Sequence, residues 1–227
     1  MEAMGPSETL DHQSKVIGTL SALFNNEYLS DIQLMVNETP TLKAHSFILA
    51  AHSDVFKALL DTERWPDAKD RVIHLTEAED SLPYLEDFLR YLYSGSVTLS
   101  TTSVLPLHVL SEKYNVQELR QSCQRLMLAN VGAPGSSNRA ITWQRYARLM
   151  GLGQLEEECL RFIAWNIGTV IQSPDWTPME AHQLSALLQR SDVVVDDEAV
   201  LLRALLAWLS RRPDRAGGRC WPTSATL

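Results

Sequence analysis

The sequence has few cysteines, no excess of basic charge and no long apolar run. Its three cysteines, Cys123, Cys159 and Cys220, are too few and too scattered for a disulfide framework or a paired-cysteine zinc site, which favours a reducing compartment. The net charge of -8 leaves no general basic field to attract nucleic acid. No apolar stretch reaches the ~18 residues of a membrane span, and the N-terminus lacks the apolar core of a signal peptide. We therefore expect a cytoplasmic protein that binds neither nucleic acid nor a membrane.

Motifs for catalysis and metal binding are also missing. There is no His-Glu-x-x-His zinc motif, no Gly-x-Ser-x-Gly nucleophile elbow and no phosphate-binding loop. Several histidines could in principle act as bases or ligands, but they form no convincing constellation: His45, His52, His74, His108 and His182. We expect no enzymatic activity, no catalytic residue, no metal, no cofactor and no small-molecule substrate.

The first half of the chain alternates short strand and helix patterns. With 227 residues and ~150 residues per domain, one domain and a smaller partner are expected. Apolar periodicity predicts strands at Ile32–Val36, near Leu42–Ala44 and at Val72–Leu75. It predicts helices at 14–25, at 46–60 with a break at Ser53-Asp54, at 83–94 and twice between Ser103 and Met127. A brief extended segment is expected at 97–99.

The second half reads as helical. The glycine, proline and serine of residues 131–139 predict a linker, and helical patterns follow at 142–149, 155–167, 178–189 and 198–210. Residues 211–227 lose this periodicity and contain a cluster of arginines, which indicates a loose basic tail. The expected organisation is a flexible N-terminus at 1–13, a domain at 14–130, the linker, a helical domain at 140–210 and the tail.

Several motifs, in this order, resemble the BTB/POZ family across about residues 14 to 128. They are Ser30-Asp31-Ile32, Ala44-His45 with Leu49, Ala50, Ser53 and Phe56, the run from Phe88 to Gly95, and Lys113-Tyr114-Asn115-Val116 with Leu119 and Cys123. The stretch from Leu155 to Asn166 and the run from Leu187 to Asp192, with Glu198, Ala204 and Trp208, resemble the opening part of a BACK domain. The resemblance implies an α+β fold: a BTB/POZ domain, which is a short-stranded sheet with surrounding helices, followed by a partial all-α BACK domain.

Within this superfamily the sequence is most similar to the branch of secreted galectin-binding glycoproteins and their BTB-BACK relatives. The run from Phe162 to Asn166, followed by Leu187 to Asp192, carries that similarity. The sequence departs from the branch because no cysteine-rich scavenger-receptor module or signal sequence stands in front. Residues 217–227 also break off where BACK helices continue in the family, so we expect a truncated or alternatively ended product.

The first helix predicts a homodimer. Its apolar stripe of Val16, Leu20, Leu23 and Phe24 has few sequence neighbours to cover it, so a second copy of the chain could bury it. The family resemblance implies the same arrangement, with Asp31 near the interface. The alternative is that this stripe packs on its own domain. The chain is thus expected to be a protein-protein interaction module, acting as an adaptor or scaffold.

Many BTB-BACK proteins bind the cullin-3 ubiquitin-ligase scaffold, and the resemblance implies which residues could do so here. They belong to the predicted helix near residues 54–60 and to the loop after it: Phe56, Leu59, Leu60, Trp65 and Asp67. Asp67 stands where such family members often carry glutamate, and Pro66 stiffens the middle of the motif. Trp65 could equally anchor the loop by packing. No Kelch or similar substrate domain follows Ser210 in the sequence.

The remaining candidates are structural or depend on the compartment. His45 at the strand-to-helix entry could fix the turn by bonding a backbone carbonyl, and Tyr93, Gly95 and Tyr114 are expected to be structural. Cys123 and Cys159 fall on apolar helix faces and should be small buried hydrophobes. Asn37-Glu38-Thr39 is a formal glycosylation acceptor, which opens the alternative of a secreted glycoprotein-type assembly component, although it also suits an ordinary polar turn.

Overall fold

A computed structural model of the chain describes residues 11–37, 42–61, 72–133, 139–195 and 197–210. The chain divides into two compact units, Met1–Arg125 and Leu126–Leu227. In chain order, the elements up to residue 130 are α1 (Gln13–Ser21), β1 (Ile32–Val36), β2 (Leu42–Ala44), α2 (Ser46–His52), α3 (Asp54–Leu59), β3 (Val72–Leu75), α4 (Leu82–Ser94), α5 (Val104–Lys113) and α6 (Gln117–Asn130). Those that follow are α7 (Ala140–Met150), α8 (Gly153–Trp165), α9 (Ile167–Val170), α10 (Ala181–Leu188) and α11 (Glu198–Ser210).

The described strands form one three-stranded sheet in the order β2-β1-β3. β1 pairs with β2 antiparallel, with Ile32 opposite Ala44, and with β3 parallel, with Gln33 beside Val72. Side chains of a strand point alternately to its two faces, and β1 accordingly buries every second residue, ending with Val36. Together with the helices around it, this small sheet confirms the α+β prediction.

Side-chain and backbone caps set the helix ends that matter for the surfaces described below. The break between α2 and α3 lies at Ser53, whose extended backbone leaves the helix while its Oγ accepts the N–H of Phe56 at 3.1 Å. α4 ends at Gly95, which has φ of 67° and donates its N–H to the Tyr91 carbonyl at 2.8 Å. Glycine suits this position because its left-handed backbone strains residues that have a Cβ.

The structure differs from the sequence-based expectation in several places. In the second unit the helix expected at 155–167 ends at Trp165 and is followed by the separate α9, and the helix expected at 178–189 begins at Ala181. α1 ends at Ser21, so Leu23 and Phe24 lie in the turn that follows it. Residues 97–99 do not form a strand. The Ser103 side chain does not cap α5, because its Oγ instead accepts the N–H of Ser100 at 2.9 Å. Side-chain bonds of this local kind compete with capping and are hard to foresee from the residue type alone.

Each unit has its own apolar core. In the first unit the sheet and helices enclose large side chains that are almost fully buried, among them Leu34, Leu49, Phe56, Phe88, Leu107 and Tyr114. In the second unit a separate cluster joins the helices from α7 to α11 and includes Ile163, Ile167, Trp176, Leu187 and Trp208. The Trp208 indole N–H donates to the Met179 carbonyl at 2.9 Å, which satisfies its polar atom inside this core.

Candidate interaction surfaces

Several large apolar side chains of α1, of the loop after it and of the start of α2 are exposed. None of the α1 side chains is buried, and Val16 is 57% exposed. Ile17 on α1, Tyr28 and Leu29 in the following loop, and Phe47 in the first turn of α2 are also largely exposed. We refer to Val16, Ile17, Tyr28, Leu29 and Phe47 as the α1 surface. Large apolar side chains that remain in water are typical of interaction sites when several occur together.

The other members of the predicted stripe are partly covered by their own unit. Leu20, Leu23 and Phe24 are all half-buried, and α1 packs beside α4. The Phe24 ring meets Tyr93 edge to face at 5.5 Å between centroids, and the Arg90 guanidinium lies 4.6 Å from its centre. The stripe therefore has an inner part on α4 and an outer part, with Val16, that faces solvent.

Asp31 joins the start of β1 to the start of α2. Its Oδ1 accepts the backbone N–H of Ser46 at 2.8 Å, and its Oδ2 accepts the Ser46 hydroxyl. Partial burial raises the pKa of Asp31, but the two hydrogen bonds from Ser46 outweigh it, so the pKa lies below its ordinary value. The carboxylate thus serves as a cap for α2, the helix that carries Phe47.

His45 fixes the loop that carries Tyr28 and Leu29. Its Nε2 lies 2.9 Å from the Tyr28 carbonyl oxygen, which can only accept, so Nε2 carries the proton. Its Nδ1 then accepts from the Tyr93 hydroxyl at 3.2 Å, and that hydroxyl oxygen accepts the His45 backbone N–H at 3.0 Å. Leu29, which follows Tyr28 in this loop, has φ of 58° and is 72% exposed. A bulky residue in this left-handed region is a strained outlier.

A second polar cluster surrounds Glu77. Its buried carboxylate accepts from the Tyr114 hydroxyl and from Lys113 Nζ, the latter at 2.8 Å. Burial, followed by the bond to Glu77, raises the pKa of Tyr114. The Asn37 amide binds the Glu77 backbone on both sides: Nδ2 donates to its carbonyl and Oδ1 accepts its N–H, each at 2.8 Å. Ser53 Oγ donates to the Tyr114 carbonyl, so the cluster ties β1 to α5 and to the start of α3.

Phe56, one of the residues that the family resemblance implies for cullin-3 binding, lies in the core of the first unit. It has no exposed surface and stacks on Tyr114 at 4.7 Å with an interplanar angle of 7°. Leu59 and Leu60 at the end of α3 are half-exposed and remain candidates, whereas Trp65 and Asp67 lie outside the described residues.

An open groove of about 440 Å³ borders the start of α3, and Tyr91 and Gly95 form part of its wall. The rest is lined by 51–54 and by the turn into α6, 115–118. It contains exposed polar side chains, including His52, Asp54 and Glu118, and the Asn115 amide donates to Asp54 at 3.1 Å. We refer to it as the α3 groove.

Across the described residues, no group of three histidines, cysteines or acidic side chains could hold a metal ion. His108 is buried, and burial lowers its pKa to about 4, so it is neutral at physiological pH. Cys123 and Cys159 are buried free thiols whose pKa burial raises to about 12. In the part of the chain that the structure describes, every helix is too short or too polar to cross a membrane.

The second unit joins α7 to α10 through a buried amide pair. Gln183 Nε2 donates to Gln144 Oε1, and Gln183 Oε1 accepts the backbone N–H of Glu180 at 3.0 Å, which caps α10. At the surface, Arg190 holds Asp192 through two hydrogen bonds of 2.8 Å and reaches Glu157 on α8 at 3.2 Å. These two contacts position the segment that leads into α11.

Sequence reasoning missed Ile17, Tyr28, Leu29 and Phe47. The apolar spacing of α2 groups Phe47 with core residues, but α2 buries Ile48 and Leu49 and turns Phe47 outward. A run of consecutive apolar residues in a short helix does not define which face is buried. Tyr28 and Leu29 lie in a loop, where no periodicity exists to assign a face.

Two family models match the chain in succession. The BTB/POZ domain matches residues 20–130, and the domain described as BTB And C-terminal Kelch, abbreviated BACK, matches residues 140–218. The curated protein BTB/POZ domain-containing protein 17 from Homo sapiens is 36% identical over 221 residues, which is 95% of this chain and 44% of that protein.

Galectin-3-binding protein is a second kind of relative. The protein from Mus musculus is 31% identical over 203 residues, which is 88% of this chain and 34% of that protein. The chain spans less than half the length of these curated relatives. The two domains match in the order that the sequence resemblance implies. The first unit is α+β and the second is helical, so these findings confirm the resemblance. The chain is a member of the BTB/POZ family that carries a BACK domain after its BTB domain.

Proposed function

We propose that the chain is a non-enzymatic interaction protein that forms a homodimer through its BTB domain and acts as an adaptor or scaffold. The observation that carries this proposal is the exposure of the α1 surface in a unit whose core is otherwise closed. BTB domains generally mediate protein-protein interaction and dimerisation, which makes a second copy the first partner to consider.

Burial of the α1 surface would stabilise a dimer. Removing one large apolar side chain from water contributes about 1.5–3 kcal/mol, and a twofold interface counts each residue twice. The strained backbone of Leu29 favours the same interpretation, since Leu29 keeps an outward position that its own unit does not need for packing. The bond from His45 to the Tyr28 carbonyl holds this loop in place before any partner arrives.

Light scattering at micromolar concentration tests the dimer. We expect the full chain to have twice the monomer mass, and Val16→Glu with Ile17→Glu to reduce it to the monomer while the far-UV circular dichroism is unchanged. Leu149→Glu is the matched control, because Leu149 is an exposed leucine on α7 of the second unit and should leave the dimer intact. A wild-type chain that is monomeric under these conditions would remove the proposal.

A second candidate function is that of a substrate adaptor for cullin-3 in a ubiquitin-ligase complex. The α3 groove is a concave surface at the start of α3 that could accept a partner helix, and Leu59 and Leu60 add half-exposed apolar side chains at the other end of α3. The proposed contact surface leaves out Phe56, which is fully buried in the core.

Co-purification with cullin-3 tests this adaptor function. If it is correct, Leu60→Glu and Asp54→Arg abolish the complex, while Val16→Glu leaves cullin-3 bound. Lack of binding by the wild-type chain would exclude cullin-3 as the partner.

The compartment we propose is the cytoplasm, with secretion as the alternative. One observation supports the cytoplasm: Cys123 and Cys159 are free thiols. The alternative is a secreted assembly component, by analogy with the relative named galectin-3-binding protein. Mass spectrometry that finds a glycan on Asn37 in secreted material would establish the alternative.

A further inference from the structure

α11 carries apolar side chains on two of its sides. The inner side packs on the core of the second unit and includes Leu205 and Trp208. The outer side is exposed, and its apolar members are Ala199, Leu202, Leu206 and Leu209. We refer to these four residues as the α11 stripe. Large apolar side chains that remain in water along one side of a helix are typical of an interaction site.

The spacing of the α11 stripe is that of a coiled-coil seam. Its members are separated by three, four and three residues, so they occupy successive a, d, a and d positions of a heptad repeat that begins at Ala199. Side chains at these positions line one side of a helix and pack against the same positions of a second helix. The α11 stripe therefore suits a helix as its partner.

The charges beside the α11 stripe favour a second copy of α11 as that helix. Glu198 and Arg203 are both exposed, and they occupy a g and an e position on opposite edges of the stripe. In a parallel pair, a g residue lies beside the e residue that stands five positions later in the partner helix, which is the separation of Glu198 from Arg203. Glu198 of each copy would thus meet Arg203 of the other. An antiparallel pair would instead bring the e positions together, with the like charges of the two Arg203 side chains.

We propose that α11 pairs in parallel with α11 of a second copy of the chain through the α11 stripe. The inference concerns the second unit and does not depend on the proposed dimer through the α1 surface. The helix is already formed before it pairs, because Asp197 Oδ1 accepts the Ala199 N–H at 2.8 Å and the core holds the inner side. A preformed helix avoids the ordering cost that makes an isolated helix of this length marginal.

The size of the contact makes the pair a transient one. The 13 residues of α11 span about 20 Å at 1.5 Å per residue, and a helix with its side chains is about 10 Å wide. A strip of this size on each copy falls well below the ~1,200 Å² of total area that stable interfaces bury. Light scattering at micromolar concentration therefore reports on the α1 surface, whereas the contact between two α11 helices needs a method that traps short-lived pairs.

Disulfide trapping from single introduced cysteines provides such a method. Leu206→Cys lies on the α11 stripe, and Ala207→Cys is the matched control because this exposed neighbour is turned by about 100° from Leu206. In a parallel pair with axes ~10 Å apart, facing Cα atoms of the seam lie about 5 Å from each other, a distance that a disulfide spans. Both variants are made in the full chain with Cys220→Ser, and the native Cys123 and Cys159 are buried.

The trapping is measured in the background of Val16→Glu with Ile17→Glu, so that a dimer through the α1 surface cannot produce it. Under mild oxidation we expect Leu206→Cys to give a disulfide-linked dimer about tenfold faster than Ala207→Cys on non-reducing gels. Leu202→Cys should match Leu206→Cys, since a parallel pair places each seam residue opposite its own copy. Equal rates at positions 206 and 207 would overturn the proposal, and so would a bond at position 206 without one at position 202.

Charge variants test the partner by a second route. Glu198→Arg puts an arginine against Arg203 of the other copy and should slow trapping at position 206 about fivefold. Adding Arg203→Glu recreates the ion pair in the reverse sense and should restore the rate. A double variant that stays as slow as Glu198→Arg would show that these two residues do not meet, which would overturn the parallel pairing.

Discussion

Both units connect distant residues through hydrogen bonds to carboxylates, and the second unit adds a buried pair of neutral amides. In the first unit, carboxylates do this work: Asp31 binds Ser46, and Glu77 binds Lys113 and Tyr114. In the second unit the buried Asp175 carboxylate accepts from the Thr142 hydroxyl at 2.7 Å, the buried pair of Gln144 and Gln183 is neutral, and the charged contacts of Arg190 lie toward the surface. Hydrogen bonds to charged groups contribute about 1.5–3 kcal/mol, against about 0.5–1.5 kcal/mol for neutral ones.

This difference coincides with what each unit exposes. The first unit fixes a loop and a helix start that carry the α1 surface, including a strained leucine, and such a geometry requires strong local bonds. The second unit exposes the side of one regular helix, α11, whose backbone is satisfied by its own hydrogen bonds. An irregular surface therefore needs polar support that a helical surface does not.

The largest expected effect is a loss of stability when the aromatic stack of the first unit is removed. Phe56→Ala leaves a cavity beside Tyr114 and should lower the free energy of unfolding by about 3–5 kcal/mol, measured by urea denaturation with circular dichroism. Leu59→Ala, three residues along the same helix at a half-exposed position, is the control and should cost far less. Equal losses for the two variants would mean that Phe56 is not a core residue.

The next effect measures the charged cluster. Tyr114→Phe removes one donor from the buried Glu77 carboxylate and should cost about 1.5–3 kcal/mol in the same assay. Tyr84→Phe, on α4 and only half-buried, should change the stability by a few tenths of a kcal/mol at most. Equal losses of stability for the two variants would contradict a stabilising bond from the Tyr114 hydroxyl to Glu77.

The matching experiment in the second unit should give a smaller loss. Gln144→Leu leaves the Gln183 amide without its acceptor and should cost about 1–2 kcal/mol. A loss larger than that of Tyr114→Phe would reverse the comparison between the units. Gln172→Leu, at an exposed position of the same unit, serves as the control.

The smallest effect depends on pH. Because the pKa of Asp31 is lower in the folded chain, its contribution to stability is present above the unfolded pKa of ~3.9 and is lost as the pH falls through the folded value. Asp31→Asn has no charge to titrate, so the stability difference between wild type and variant should shrink as the pH falls from ~5 to below ~3.9. Urea denaturation across that range measures it, and a difference that stays constant would contradict the role of the ionised carboxylate.

The sequence was sufficient for elements with a clear period. β1, β3 and α11 occur at their predicted bounds, and the break at Ser53 follows from its capping chemistry. The apolar and capping patterns are local, so they can be read without knowing what packs against them. The family resemblance rests on such local motifs too, which is why it extended across both domains.

The sequence was not sufficient for side chains whose environment depends on distant residues. Phe56 and Phe47 both belong to apolar helical segments, yet the first is enclosed by Tyr114 and the second points to solvent. The Glu77 cluster joins Glu77 to Asn37, which lies 40 positions earlier, and to Tyr114, which lies 37 positions later. No apolar period in the sequence reveals contacts over such separations. Interaction surfaces are what the core leaves uncovered, so they can be identified only once the packing is known.

The buried thiols give each unit a chemical reporter of its own. Cys123 belongs to the first unit and Cys159 to the second, and an alkylating reagent reaches either sulfur only after the surrounding helices separate. The labelling rate at each position therefore measures how often that unit opens. A partner that seals the α1 surface should slow alkylation of Cys123 and leave that of Cys159 unchanged, so native cysteines could distinguish bound from free chains.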